Sequence, residues 1–285
     1  MTTSHSPVIR DIDHPAPPKA SLTKVVRGVT LRADPAREPC FNVVSDAADL
    51  ADYADMSDVA RRQRLHKHMH NEMQSLEMAA RTLADFPETP WSVRIGLARQ
   101  CWDESRHTRL LYRRLREIGG RKGEFPVMNY EWSVTCMMEN ISAHLAIQNR
   151  VFEGGEIDLL RHLIKMWDES GDTATAELLD GILADEIQHV RLANAWFKEM
   201  SKTDPGVLLK LASAVSFLRS VTTAFTPKPG EVNAAGVNLS GFEHIEMILN
   251  VEDRLRAGFT QREIDEIRRQ EDQIRANAAD KTAVA

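Results

Sequence analysis

Cysteine is scarce in this chain: three residues in 285, Cys40, Cys101 and Cys136, widely spaced and odd in number. An odd set cannot close a complete disulfide framework, and without a Cys-x-x-Cys pair there is no zinc knuckle or thioredoxin-type motif. The reading that remains is free buried thiols in a reducing cytoplasm. A cationic excess is lacking too. Lys and Arg number 36 against 42 Asp and Glu, a net charge of -6, so nucleic acid is not an expected partner. No apolar run approaches the roughly 20 residues of a membrane helix. The opening MTTSHSPVIRDIDHPAPPKA has no apolar stretch of the kind a secretory signal carries. A cytoplasmic protein without a membrane partner is therefore expected. Strand signals are few, because β-branched runs rarely alternate with period two.

What the chain does have is helical periodicity over a 42% hydrophobic composition, enough to bury a sizeable core. Residues 1–22, rich in Pro, Ser and Thr, read as a disordered N-terminal tail, and 23–56 as an irregular arm broken by Pro35 and Pro39. From Ser57 to Phe86, Leu65, Met69, Met73, Leu76, Ala80 and Leu83 form one apolar stripe. Pro87 and Pro90 stop that helix, and a second runs from Trp91 to about Ile118, closed by Gly119-Gly120. A third starts near Tyr130, is interrupted at Gly154-Gly155 and resumes over Ile157–Glu169. A fourth runs from Thr173 to about Met200. The fold class is thus all-α. Residues 57–200 form a four-helix bundle, and 201–285 a C-terminal helical extension packed on it. In that extension an apolar helix spans Val207–Val221, a helical stretch begins near Phe242, and Thr260-Gln261-Arg262-Glu263 opens a last, strongly charged helix as a capping box.

Two copies of one motif carry the chemistry. Helix two holds Asp103-Glu104-Ser105-Arg106-His107 and helix four holds Asp185-Glu186-Ile187-Gln188-His189. A Glu and a His three apart share one helix face and can meet one ion. Ferritin-like di-iron bundles use Glu-x-x-His from two helices and one Glu from each of the other two. In the first hairpin the turn centres near Glu88; Glu104 lies 16 residues after it and Glu72 lies 16 before. Glu72 also interrupts the apolar stripe, where an unpaired carboxylate is costly. Glu77 is the alternative there. On the third helix Glu153 precedes Glu186 by 33 residues, close to the 32 between Glu72 and Glu104. If Gly154-Gly155 begin a separate excursion, Glu139 becomes the level partner instead. Asp103 and Asp185 suit the free ring N–H of a ligating His on the opposite helix: Asp103 with His189, Asp185 with His107. Among the other polar clusters, His66, His68 and His70 read as a partly solvated face, and Arg106, Arg109, Arg113 and Arg114 as a salt-bridging patch. Ser142, Ala146 and Asn149 read as close helix packing.

The run His70–Glu77, the two Asp-Glu-x-x-His motifs and Phe152-Glu153-Gly154-Gly155 resemble the blocks of an uncharacterised bacterial ferritin-like family. The resemblance covers roughly residues 40–260, with Gly-Gly standing where that family has Ala-Arg-Gly. It implies a di-iron carboxylate fold with Glu104 and Glu186 bridging or chelating, Glu72 and Glu153 terminal, and His107 and His189 completing the two spheres. The oxygen-rich donor set with two imidazoles suits two iron ions, with manganese or an Fe/Mn pair as the alternative. The expected function is activation of O2 or peroxide to oxidise or hydroxylate a small organic substrate. It would draw on an external electron donor, in a monomer or homodimer. The alternatives are an iron-binding, ferroxidase-type protein without an organic substrate, and a tRNA-modifying di-iron hydroxylase.

Overall fold

In the computed structural model of the chain, residues 22–239 and 249–270 are described. The expected tail and the helical stretch from Phe242 fall almost wholly outside them. The described chain is mostly helical. Helices α1 (Asp58–Asp85) and α2 (Trp91–Glu117) form one long antiparallel pair. The third stretch is broken into α3 (Tyr130–Thr135), α4 (Ile141–Leu145), a π-helical segment (Ala146–Phe152) and α5 (Glu153–Glu169). Helix α6 (Thr173–Met200) pairs with α5 and also packs along α2. Helix α7 (Gly206–Phe225) covers α4 and the π segment. The short α8 (Val251–Arg256) lies on α5 and α6, and residues 261–270 are helical as well.

Local chemistry accounts for several boundaries. Gly119, with φ +83°, ends α2, and the Gly120 N–H reaches back to the Leu115 carbonyl at 2.8 Å. Asp172 caps α6 by accepting the Thr175 N–H at 3.0 Å. Thr260 and Glu263 close the capping box from both sides, at 2.8 and 3.3 Å. Leu65 and Met69 are core residues, but further along α1 the buried face moves to Met78 and Ala79 and leaves Ala80 exposed. A helix of 3.6 residues per turn drifts around its axis in this way.

Four expectations need correction. The interruption of the third helix is at residues 136–140, and Gly154 and Gly155 sit inside α5. The arm is not irregular throughout: β1 (Thr23–Val26) and β2 (Val29–Arg32) form an antiparallel hairpin. Arg27 and Gly28, both at positive φ, make its two-residue turn. Further on, β3 (Val43–Val44) pairs in parallel with β4 (Val127–Met128). The thiols are free but not buried: Cys40 is exposed, and Cys101 and Cys136 are half-buried. Finally, α7 is 20 residues long and by length and composition alone apolar enough to cross a membrane. Only Val207, Ala214, Leu218 and Val221 of it are buried, and its outer face carries Lys210, Ser213, Ser216, Arg219 and Ser220.

His144 on α4 is buried and neutral. Thr82 donates its one hydroxyl hydrogen to the Met78 carbonyl, so the 2.9 Å contact to His144 Nδ1 must be donated by the ring. Burial pushes this imidazole down to about 4. Between pH 6.5 and 4 the unfolded chain therefore binds a proton that the folded chain refuses, and stability falls as pH falls through that window. A shift of this size is worth about 3 kcal/mol. Urea unfolding of His144→Gln at pH 7 and 4.5 should show the wild-type advantage shrinking by about 2 kcal/mol at the lower pH. An unchanged gap would mean that His144 takes up its proton in the fold as readily as in the unfolded chain.

Candidate metal centre

The two helix pairs turn six donors toward one another between them. Glu72 comes from α1, Glu104 and His107 from α2, Glu153 from the first turn of α5, and Glu186 and His189 from α6. All six are at most 3% exposed. Their side chains fall into two four-donor groups, Glu72–Glu104–His107–Glu186 and Glu104–Glu153–Glu186–His189. Within each group the donor atoms lie within 4.8 Å of one another. Glu104 and Glu186 belong to both.

The imidazoles are aimed. His107 Nδ1 lies 3.1 Å from Glu72 Oε2, 3.3 Å from Glu104 Oε2 and 3.4 Å from Glu186 Oε1. His189 Nδ1 lies 3.2 Å from Glu186 Oε2 and 3.4 Å from Glu104 Oε1. The opposite ring nitrogens meet the aspartates of the facing helix: His107 Nε2 with Asp185 at 3.2 Å, His189 Nε2 with Asp103 at 3.4 Å. Asp185 is anchored by Arg106, and Asp103 by Arg99 at 3.3 Å. With Nε2–H donated outward, each Nδ1 points among carboxylate oxygens. That arrangement needs a cation at its centre, either a proton on the nitrogen or a metal ion shared by all the donors.

The electrostatics say the same. Burial first, and the Glu186 charge second, push the Glu104 and Glu153 carboxyls well above their ordinary range. Burial opposes charge on His107 and His189, yet the surrounding carboxylates raise both far above an ordinary imidazole. Asp103, bonded to His189, is drawn down to about 2. Without metal, then, these shifts favour protons on Glu104, Glu153 and the two imidazoles. Two buried atoms, Glu72 Oε1 and Glu186 Oε1, make no hydrogen bond. Unsatisfied carboxylate oxygens inside a set of oxygen and imidazole donors fit a divalent ion, so these clusters can hold metal.

Glu153 occupies the third-helix position. Glu139 lies exposed in the 136–140 break, and Glu77 is engaged by a forked pair from Arg37, 2.7 Å at each oxygen. The π segment explains how Glu153 is oriented. Its wider turn places Gln148, five residues back, on the same face, and Gln148, Asn149 and Gln100 all donate to the Glu153 carboxylate. Asn149 is therefore a site residue and not only packing. Gln100, one turn before Glu104 on the same face, is a residue that the sequence reading missed; its i, i+4 spacing was the available signal.

The histidine cluster also differs from expectation. His66 and His70 are buried, not solvated. His66 Nε2 accepts the Gly123 N–H at 2.9 Å, His70 Nε2 lies 3.2 Å from Arg37 Nε, and both rings pack on Phe41. His68 faces the carboxylates, 2.9 Å from Glu72 Oε1 and 3.0 Å from Glu156 Oε1. The arginines of α2 divide as well. Arg106 and Arg114 reach across to α6 and its cap at Asp185 and Asp172, Arg113 pairs with Glu117, and Arg109 is exposed.

Residues 16–265 match the family described as "Protein of unknown function (DUF455)". The chain belongs to that family. This DUF455 chain is also 25% identical over 164 residues to an "Uncharacterized protein" of Haemophilus influenzae (strain ATCC 51907 / DSM 11121 / KW20 / Rd), a stretch covering 57% of this chain and 50% of that one. The DUF455 chain thus spans half the length of this relative. No solved structure matches it.

Proposed function

We propose that the chain is a ferritin-like four-helix bundle holding two iron ions, and that it uses O2 or peroxide to oxidise or hydroxylate a small organic substrate. The observation behind this is the pair of four-donor groups sharing Glu104 and Glu186. One Glu from each of two helices, with Glu-x-x-His from each of the other two, is the ligand pattern of di-iron carboxylate bundles. Manganese would satisfy the same donors; the two imidazoles disfavour calcium and magnesium, and the carboxylate count disfavours structural zinc. A ferrous pair held by Glu72, Glu104, His107, Glu153, Glu186 and His189 would supply the electrons for O2 or peroxide reduction, and an external donor would restore them.

The chain's own residues do the rest. Asp103 and Asp185 hold both rings with Nδ1 inward. Gln100 and Asn149 fix the Glu153 rotamer, so that one carboxylate is presented in one geometry. Near-complete burial keeps bulk water out and strengthens each charge interaction inside.

Metal-free protein loaded anaerobically with Fe(II) and desalted should retain two irons per chain, one for each four-donor group. Exposure to O2 should then consume O2 and produce a ferric near-ultraviolet absorption. Retention of under about half an iron per chain, against the tight binding expected of a preformed donor set, would remove the metal assignment. Iron that stays ferrous in air would remove the oxygen chemistry.

A further inference from the structure

The two four-donor groups leave part of the carboxylate cluster unused. His68 lies four residues before Glu72 on α1, and Glu156 one turn after Glu153 on α5. His68 Nε2 donates to Glu156 Oε1 at 3.0 Å. The same nitrogen lies 2.9 Å from Glu72 Oε1, yet that oxygen is buried and makes no hydrogen bond. Donor atoms of His68, Glu72 and Glu156 all fall within 4.8 Å of one another. Glu72 therefore faces two ways, with Oε2 toward His107 and Oε1 toward His68.

Two further facts set this group apart from the inner pair. His68 and Glu156 are 11% and 21% exposed at the side chain, whereas the inner donors are nearly sealed. Glu131 adds another carboxylate beside it, near enough to feel the charges of both Glu156 and Glu72. Glu131 also lines a cavity of about 210 Å³ with Asp52, Lys67, Asn71 and Tyr130. Two divalent ions offset the four inner glutamates, which leaves Glu156 and Glu131 with His68 and, beside Glu131, Lys67 as the nearby cations. A cation at His68 would meet one imidazole and two carboxylate oxygens, one of them otherwise unsatisfied.

We propose that His68, Glu156 and the outward oxygen of Glu72 form a third divalent-cation site, through which ions reach the inner pair. The route rests on the dinuclear reading above. An ion leaving this site passes from one oxygen of Glu72 to the other and arrives beside His107. The outer site binds more weakly than either inner one, since it offers three donors and is partly open to water.

The test is an anaerobic Co(II) titration by calorimetry, with stopped-flow absorbance for loading. Wild-type protein should take up three ions, one weak enough to be lost on desalting. Glu156→Gln and the near-isosteric His68→Asn should take up two, and their loading should slow about tenfold or more, as expected when a charged entry point is neutralised. Glu104→Gln should lose the tight ions and keep the weak one. Three ions in the His68 and Glu156 variants, or two in the wild type, would overturn the site. Two ions loaded at the wild-type rate in the variants would overturn the route. Wild-type protein that binds no Co(II) would refute the dinuclear reading and this site together, so the two failures are distinguishable.

Discussion

Glu104→Gln should strip the chain of both inner ions while leaving the ion-free form as stable as before, or more stable. Glu104 is the natural place for the largest effect because its two oxygens face different imidazoles, Oε2 toward His107 and Oε1 toward His189. Glutamine keeps the shape but replaces one of those oxygens with an amide nitrogen that cannot ligate. Losing a partner behind a ligand already costs 10–100-fold in metal affinity, and losing a shared ligand should cost more than about 100-fold. In the ion-free chain the balance reverses. Burial and the Glu186 charge push the Glu104 carboxyl up, toward the neutral form that glutamine imitates.

Thermal melts with and without Fe(II) separate this from a structural role. An ion present at 1,000 times its Kd stabilises the fold by about 4 kcal/mol, a rise of roughly 10 °C for a chain of this size. Wild-type protein should show that rise, and the variant at most the small one that a weak outer ion supplies. If the six side chains were a structural ion-pair network, removing the Glu104 charge would instead cost about 3–5 kcal/mol with or without metal. A melting point lowered to that extent in the absence of iron would favour the structural role.

The parts of this site that could be read from sequence were those with local periodicity. Glu104 with His107, and Glu186 with His189, are three apart on single helices, and the short Phe86–Pro90 turn allowed Glu72 to be placed opposite Glu104 by counting. The pairings of Asp103 and Asp185 needed only the knowledge that a ligating His donates its other nitrogen. What stayed hidden depends on contacts or on backbone irregularity. Gly154-Gly155 looked like a break, but tertiary packing carries α5 through both, and the real break at 136–140 contains no glycine or proline. A π segment has no composition of its own, so the reach of Gln148 and Asn149 to Glu153 could not be inferred. His68 was passed over because three histidines in five residues looked alike. Only the packing of α1 against α5 and the loop at Gly123 decides which of them meet carboxylates and which meet Phe41 and backbone. The hairpin was missed because its Arg27-Gly28 turn lacks the Asn-Gly or Asp-Gly signature that marks such turns.

The second large effect is expected outside the donor set, at Arg254. Its guanidinium grips Asp158 with Nε at 3.1 Å from each oxygen and Nη2 at 2.6 Å from Oδ2, and both side chains are buried. Asn250 adds its backbone N–H to the same carboxylate at 2.8 Å. The guanidinium also lies over the Phe259 ring, 5.1 Å from its centroid, with Arg150 over that ring at 4.6 Å. These contacts fasten α8 to the helix that carries Glu153. Arg254→Ala leaves Asp158 charged in a dry site with one remaining donor, and should cost about 3–5 kcal/mol in urea unfolding of the ion-free chain. The paired change Asp158→Asn with Arg254→Met removes both charges and refills the volume, so most of that loss should return. Because Glu153 stands five residues before Asp158 on α5, Arg254→Ala should also loosen the inner ion held by His189, and the double variant should restore it. A cost below about 1 kcal/mol would be the value of a solvated surface pair, and would mean that α8 does not hold α5 in place.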